Sequence, residues 1–141
     1  MVSLGSRVHI FARPRVKHAL VECFSRVLGC GDPGALDVPG LEQPILAWNF
    51  PGGGSLSVEF SDNAPEERDP RRGAWIELRA EDPIGLSSRL GSAGLAQINY
   101  LGNDNYFVLP GGQVLRVEAA ESLGLTNRPC ELGAQPHPPT G

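Results

Sequence analysis

The chain has 141 residues, a net charge of −4 at pH 7, 18 glycines and 13 prolines. That length suits one compact domain, or two small halves sharing a core, and leaves little room for two independent domains. The acidic balance, with no basic run beyond "RDPRR", excludes a nucleic-acid footprint, and no segment approaches the roughly 20 apolar residues of a membrane span, so a cytoplasmic protein is expected.

"RVHIFAR" alternates Val8, Ile10 and Ala12 with His9 and Phe11, the period-two signature of a strand with one face on a core. From Pro14 to Leu28 the period changes. Val16, Ala19, Leu20, Cys23, Phe24, Val27 and Leu28 fall at helical spacings, Pro14 suits an opening turn, and Gly29 suits the left-handed stop. Residues 30–44 are rich in turn formers, with a short strand expected near Ala35 to Val38. "ILAWNF" and "SLSVEFS" then read as a hairpin around Pro51 to Gly54.

The second half repeats that order. After the polar linker 63–72, "AWIELRA" is a strand, and Asp82 followed by Pro83 opens a short helix whose apolar side is Ile84, Leu86 and Leu90. "LAQINY" and the hairpin "NYFVLPGGQVLRVEA" complete it. The stretch "FPGGGSLSVEF" (50–60) returns as "LPGGQVLRVEA" (109–119), with Pro, Gly, Gly, Leu, Val and Glu in matching places. The expected organisation is therefore one α+β domain over residues 1–123, built of modules 6–62 and 73–119. The Pro- and Gly-rich residues 124–141 follow as a flexible tail.

A duplicated strand, helix and three-strand unit resembles the vicinal oxygen chelate superfamily, which includes glyoxalase I, extradiol dioxygenases, fosfomycin-resistance enzymes and bleomycin-resistance proteins. The resemblance covers about residues 7–119. It rests on "HIFARP" in the first strand, on "CFSRVLGCG", similar to the family's "FYxxVLG", and on "LPGGQVLRVEA", similar to its final "DPDGNxxEL" hairpin. It implies two βαβββ modules forming a curved mixed sheet with a cup-shaped cleft, a small organic ligand in that cleft, and a homodimer. The composition, rich in Gly, Ala, Arg and Pro, fits a bacterial source.

Strand alternation selects the residues that share the ligand face. His9 and Phe11 lie on one side of the first strand, Ser57 and Glu59 of the fourth, Trp75 and Glu77 of the fifth, and Arg116 and Glu118 of the eighth. Their apolar neighbours, Val8, Ile10, Leu56, Val58, Phe60, Ile76, Leu78, Leu115 and Val117, should pack under the helices. In metal-using relatives the first strand of a module gives His or Gln and the last gives Glu, which hold a divalent ion with positions left open for two substrate oxygens. By that resemblance His9 and Glu59 match the first-half ligands. In the second half Trp75 falls where the imidazole is expected, and the final Glu falls on Arg116.

Two functional readings follow. A hairpin register shifted by two would let His9, Glu59, Glu118 and Glu77 bind a metal, as in a lyase, isomerase or dioxygenase acting on vicinal oxygens. Without that shift the pocket has no metal: Trp75 is a stacking wall and Arg116 an anion clamp, as in the bleomycin-resistance branch. The metal-free reading is preferred, with an anionic or aromatic ligand held by His9, Ser57, Glu59, Trp75, Arg116, Glu118 and Tyr106. A third reading leaves the pocket without a role, with Glu59 and Arg116 neutralising each other across the cup.

Other features carry less. Cys23, Cys30 and Cys130 show no CxxC spacing and read as reduced thiols. His18 lies off the apolar stripe, and His137 lies in the tail. "PGGGS" sits inside a hairpin, where its glycines serve the turn rather than a phosphate. "PEERDPRRG" reads as an exposed loop, and no Ser has an evident His and Asp companion in sequence. "QINYLGNDNY" places Asn99, Tyr100, Asn103, Asn105 and Tyr106 at the wall or mouth of the second cup.

Overall fold

The structure, a computed structural model, describes residues 1–66, 68, 70 and 72–120. The tail 124–141, with Cys130 and His137, lies outside them. Strand β1 (Arg7–Ala12) buries Ile10 and Ala12 and turns His9 and Phe11 the other way. The helical run that follows is composite: a 3-10 turn at Pro14–Val16, α-helix α1 at Lys17–Val21 and a π-helical stretch at Glu22–Val27. There Leu28 N–H donates to the Cys23 carbonyl, five residues back, at 2.9 Å. The widened turn directs Cys23 and Phe24 into the core beside Leu20. Val16 and Leu20 already fill the buried row, so Ala19, expected on the apolar stripe, is exposed.

Strands β2 (Gly34–Leu36), β3 (Ile45–Asn49) and β4 (Ser55–Phe60) complete a four-stranded sheet of order β1-β4-β3-β2, with β1 parallel to β4 and the other pairs antiparallel. The second half follows with β5 (Trp75–Ala80), α2 (Pro83–Ser92), β6 (Ala96–Tyr100), β7 (Asn103–Val108) and β8 (Val114–Ala119), in the order β5-β8-β7-β6. Asp82 caps α2, its Oδ1 accepting from Gly85 N–H at 2.9 Å. Leu86 and Leu90 are buried, whereas Ile84, expected beside them, is 83 % exposed. In this ten-residue helix only the row formed by positions 86 and 90 meets the core.

The two βαβββ modules thus form two separate mixed sheets rather than one. Their inner faces join a single apolar core: Ile10, Leu56 and Val58 from the first sheet, Leu115 and Val117 from the second, with Val8, Ile76 and Leu78 packed against it. The alternation expected for the strands holds at each of these positions.

Pairing register fixes which residues of the two modules correspond. Ser55 N–H donates to Ser6 O at 3.0 Å, and Val114 N–H donates to Ala74 O at 2.9 Å. Arg7 pairs with Ser55 and Trp75 with Val114. His9 therefore corresponds to Glu77, Ser57 to Arg116, and Glu59 to Glu118. Trp75 corresponds to Arg7 and not to His9, so it does not stand in the position of a second imidazole. The expectation that Trp75 takes the place of the second imidazole came from the family resemblance, and strand pairing puts the equivalent of His9 two residues later, at Glu77.

The second of the repeated turns links the halves. Gly111 (φ 102°) is buried, and a Cβ there would lie 3.4 Å from the Ala12 Cβ and 3.6 Å from Val16 Cγ2. The second hairpin therefore seats its tip on the first module. Gly73, which precedes β5, lies against the Gly112 carbonyl with no space for a side chain.

Candidate functional site

On the open face of the first sheet, three residues form one line. His9 is paired in register with Ser57, so both side chains project from the same rung. Its Nδ1 lies 2.7 Å from Ser57 Oγ, and its Nε2 lies 3.2 Å from Glu59 Oε2. Phe11 meets the imidazole edge to face at a centroid separation of 5.1 Å. The His9 and Glu59 side chains are 39 % and 25 % exposed, so the face is accessible.

The open face of the second sheet is built differently. Trp75, Tyr100 and Tyr106 form a three-ring corner with centroids 4.8, 5.3 and 5.5 Å apart, in tilted and edge-on arrangements. Such geometries satisfy the quadrupoles of the rings. Tyr106 is buried, while Trp75 and Tyr100 are 38 % and 39 % exposed. The indole is fixed by its Nε1–H, which donates to the Pro70 carbonyl at 2.9 Å.

Beside this corner, Arg116 Nε lies 2.6 Å from Glu118 Oε1 and its Nη1 3.9 Å from Glu77 Oε2, and the guanidinium stands 5.9 Å from the Tyr106 ring centre. Arg79 Nε donates to Glu77 Oε1 at 2.8 Å. Asn105 Nδ2 donates to the Val117 carbonyl and to Glu118 Oε1. Two guanidinium groups thus face two carboxylates, and Arg116 is engaged rather than free to clamp an anion. It pairs with Glu77 and Glu118, its neighbours on the same sheet, and not with Glu59 across the cup as one reading held.

The candidate residues therefore assemble in two groups. His9, Ser57 and Glu59 meet on one sheet; Trp75, Tyr106, Glu77, Arg116 and Glu118 meet on the other. Among the described residues no hydrogen bond, ion pair or ring contact joins the groups. Tyr100 and Arg79 complete the second group. Both were legible in part, Tyr100 from the polar aromatic run and Arg79 from the alternation Trp75, Glu77, Arg79.

A divalent ion fits this donor set poorly. His9 and Glu59 supply one imidazole and one carboxylate, and among the described residues no three His, Cys, Asp or Glu side chains are gathered for a metal. The counterparts Glu77 and Glu118 are occupied by guanidinium groups, whose positive charge would oppose a cation in the same place.

Clefts are also present elsewhere on the surface. One, of about 710 Å³, is lined by Arg13, Asn63, Ala64, Glu66, Arg68 and Arg72. The Arg68 hydrogen bond, with the charges of Arg68 and Arg13, holds the Glu66 carboxyl below the usual carboxylate range. Another, of about 440 Å³, separates the turn Pro51–Gly53 from Ile76, Leu78 and Leu86 and reaches Glu77 and Arg79 of the second group.

Solved structures place this architecture. TnmS3, an antibiotic binding protein from Streptomyces sp. CB03234, shares 18 % identity at a TM-score of 0.55, over 84 % of this chain and 96 % of that one. The fosfomycin resistance protein FosX from Listeria monocytogenes shares 10 % at 0.59, over 85 % and 93 %. A glyoxylase/bleomycin resistance protein/dioxygenase domain from Frankia sp. EAN1pec shares 17 % at 0.58, over 83 % and 97 %. A FosX variant has been solved with Mn(II) and 1S,2S-dihydroxypropylphosphonic acid. No family model and no curated protein matches the sequence. With these structures the chain shares a glyoxalase-like fold of two βαβββ modules.

Proposed function

We propose that the protein binds a small organic molecule with a flat aromatic part, held against Trp75, Tyr100 and Tyr106, without a catalytic metal. One observation carries this reading: an indole and a phenol ring, each more than a third exposed, stand together on an open sheet face with a third ring beneath them. Exposed aromatic rings grouped in this way cost solvation unless something covers them. The self-neutralised set Arg79, Glu77, Arg116 and Glu118 favours the aromatic part of a ligand over an anionic group. The likeness to an antibiotic binding protein supports the same class of function.

The second reading, a metal-dependent lyase, isomerase or dioxygenase, is favoured by the His9–Glu59 pair alone. We further propose that residues 1–123 act as one domain, in the cytoplasm of a bacterium, and that two copies pair so that each open face is covered. No helix of the described residues is long and apolar enough to cross a membrane.

The test is a titration with a panel of polycyclic aromatic compounds, with and without anionic groups, read by tryptophan fluorescence and by calorimetry. Trp75→Ala is expected to weaken binding about tenfold, the equivalent of about 1.4 kcal/mol, and Tyr100→Ala somewhat less. Unchanged affinity in both variants would remove the aromatic corner from the binding site. Protein incubated with manganese, iron and zinc and then desalted should carry less than one ion per chain. Stoichiometric metal that is lost in Glu59→Ala would favour the enzyme reading.

A further inference from the structure

We infer that Ser57, His9 and Glu59 form a nucleophilic centre able to take an acyl group from an activated ester. The order of the three groups carries the inference. An ionised carboxylate only accepts hydrogen bonds, so the imidazole nitrogen facing Glu59, Nε2, carries the proton. That leaves Nδ1 as a lone-pair acceptor, and the 2.7 Å contact is the Ser57 hydroxyl donating to it. Hydroxyl, base and orienting carboxylate then stand in the sequence that activates a serine.

The fold does not require this arrangement. In the second module the corresponding positions hold Arg116, Glu77 and Glu118, and the same strand pairing forms there with no imidazole and no hydroxyl. His9 and Ser57 share one rung of the parallel β1–β4 pair and Glu59 stands two rungs on, on the same face, with buried Ile10 and Val58 on the rung between and the Phe11 ring against the imidazole. A reagent reaches them from the open side of the sheet.

The step balances without a metal or redox partner. Ser57 Oγ attacks the ester carbonyl carbon while its proton passes to His9 Nδ1, and Glu59 stabilises the imidazolium. The tetrahedral adduct collapses, the bond to the leaving oxygen breaks, and the alcohol departs with the proton from His9. Water then adds to the seryl ester by the same route and releases the carboxylic acid. Because β4 is a central strand whose main-chain groups are taken up by β1 and β3, the substrate class is one with a good leaving group, such as an aryl ester.

The experiment treats the full chain with an alkyl fluorophosphonate, which forms an Oγ–P bond as fluoride leaves, and separately with p-nitrophenyl acetate. Adducts are located by intact mass and peptide mapping. One adduct per chain on Ser57 is expected, absent in Ser57→Ala and formed about a hundredfold more slowly in His9→Gln. Circular dichroism and urea midpoints matching the parent protein establish that both variants fold. No adduct on the parent protein, an adduct at another residue, or an unchanged rate in folded His9→Gln would overturn the inference.

Discussion

Gly73 offers a direct test of how the second module is locked together. An ideal Cβ at this position would overlap the Gly112 carbonyl, coming 2.7 Å from the carbonyl carbon and 3.0 Å from Gln113 Cα. All three atoms are backbone, so no rotamer change relieves the contact, and the 110–113 turn must withdraw. Overpacking of this kind costs about 1–3 kcal/mol. The turn also carries Gln113, whose buried side chain accepts from the Ala74 N–H. If withdrawal opens that bond, the stranded polar groups add about 1–3 kcal/mol.

Gly73→Ala should therefore destabilise by about 2 kcal/mol or more. That would lower a urea midpoint by roughly 1 M at a typical slope and the melting temperature by about 8 °C for a chain of this size. Gly52→Ala, in the matching turn of the first module, is the control. It has open space around it and no positive φ, so its midpoint should stay within about 0.5 kcal/mol of the parent. Equal midpoints for Gly73→Ala and the parent protein would refute the close approach of β5 to the second hairpin.

Three further outcomes follow from local contacts. Ser25→Ala removes the acceptor of the Trp48 Nε1–H, a 2.9 Å bond to a fully buried indole, and should cost about 1–2 kcal/mol in chemical denaturation. Asp82→Ala removes the cap of α2 and should cost about 1 kcal/mol, whereas Asp82→Ser should recover most of it. Burial, and secondarily the neighbouring Cys30, pushes the Cys23 thiol from 9.0 up to about 12. The neutral thiol is the native form, so its contribution is intact below pH 9 and is lost as pH rises towards 12, at up to about 1.4 kcal/mol per pH unit. Urea unfolding at pH 8 and pH 10 should show a steeper loss in the parent protein than in Cys23→Ala, and parallel losses would contradict this.

Much of the fold was legible because local signals agreed with one another. Period-two alternation placed β1, β4, β5 and β8 with their inner and outer faces, and the Asp82–Pro83 pair marked the start of α2. What was not legible depends on groups far apart in sequence. The π-helical stretch at Glu22–Val27 keeps the same apolar residues as an ordinary helix, and it packs against Trp48 and α2, which lie far from it in sequence. Likewise, the family resemblance set Trp75 as the second-half equivalent of His9, while the hydrogen bonds of Ser6 and Ala74 set Glu77 there. A two-residue displacement preserves the face on which each side chain lies, which is why the list of open-face residues survived while their correspondences changed. The contacts of Arg116 were illegible for another reason: three carboxylates lie on the open faces, and only the register decides that Glu77 and Glu118, not Glu59, reach it.

The duplicated Pro-Gly-Gly turns are placed differently in the two halves. The second turn is sealed against Ala12 and Val16, and this contact joins the two modules through the core side. The first turn stays exposed, with the cleft of about 440 Å³ between it and Ile76, Leu78 and Leu86. Besides this junction the halves share the apolar core, to which Ile10, Leu56 and Val58 of the first sheet and Leu115 and Val117 of the second contribute, while the open faces lie on the other side of each sheet. The two open faces differ in chemistry. The first carries an imidazole between a hydroxyl and a carboxylate, and the second carries three rings beside a neutralised set of charges.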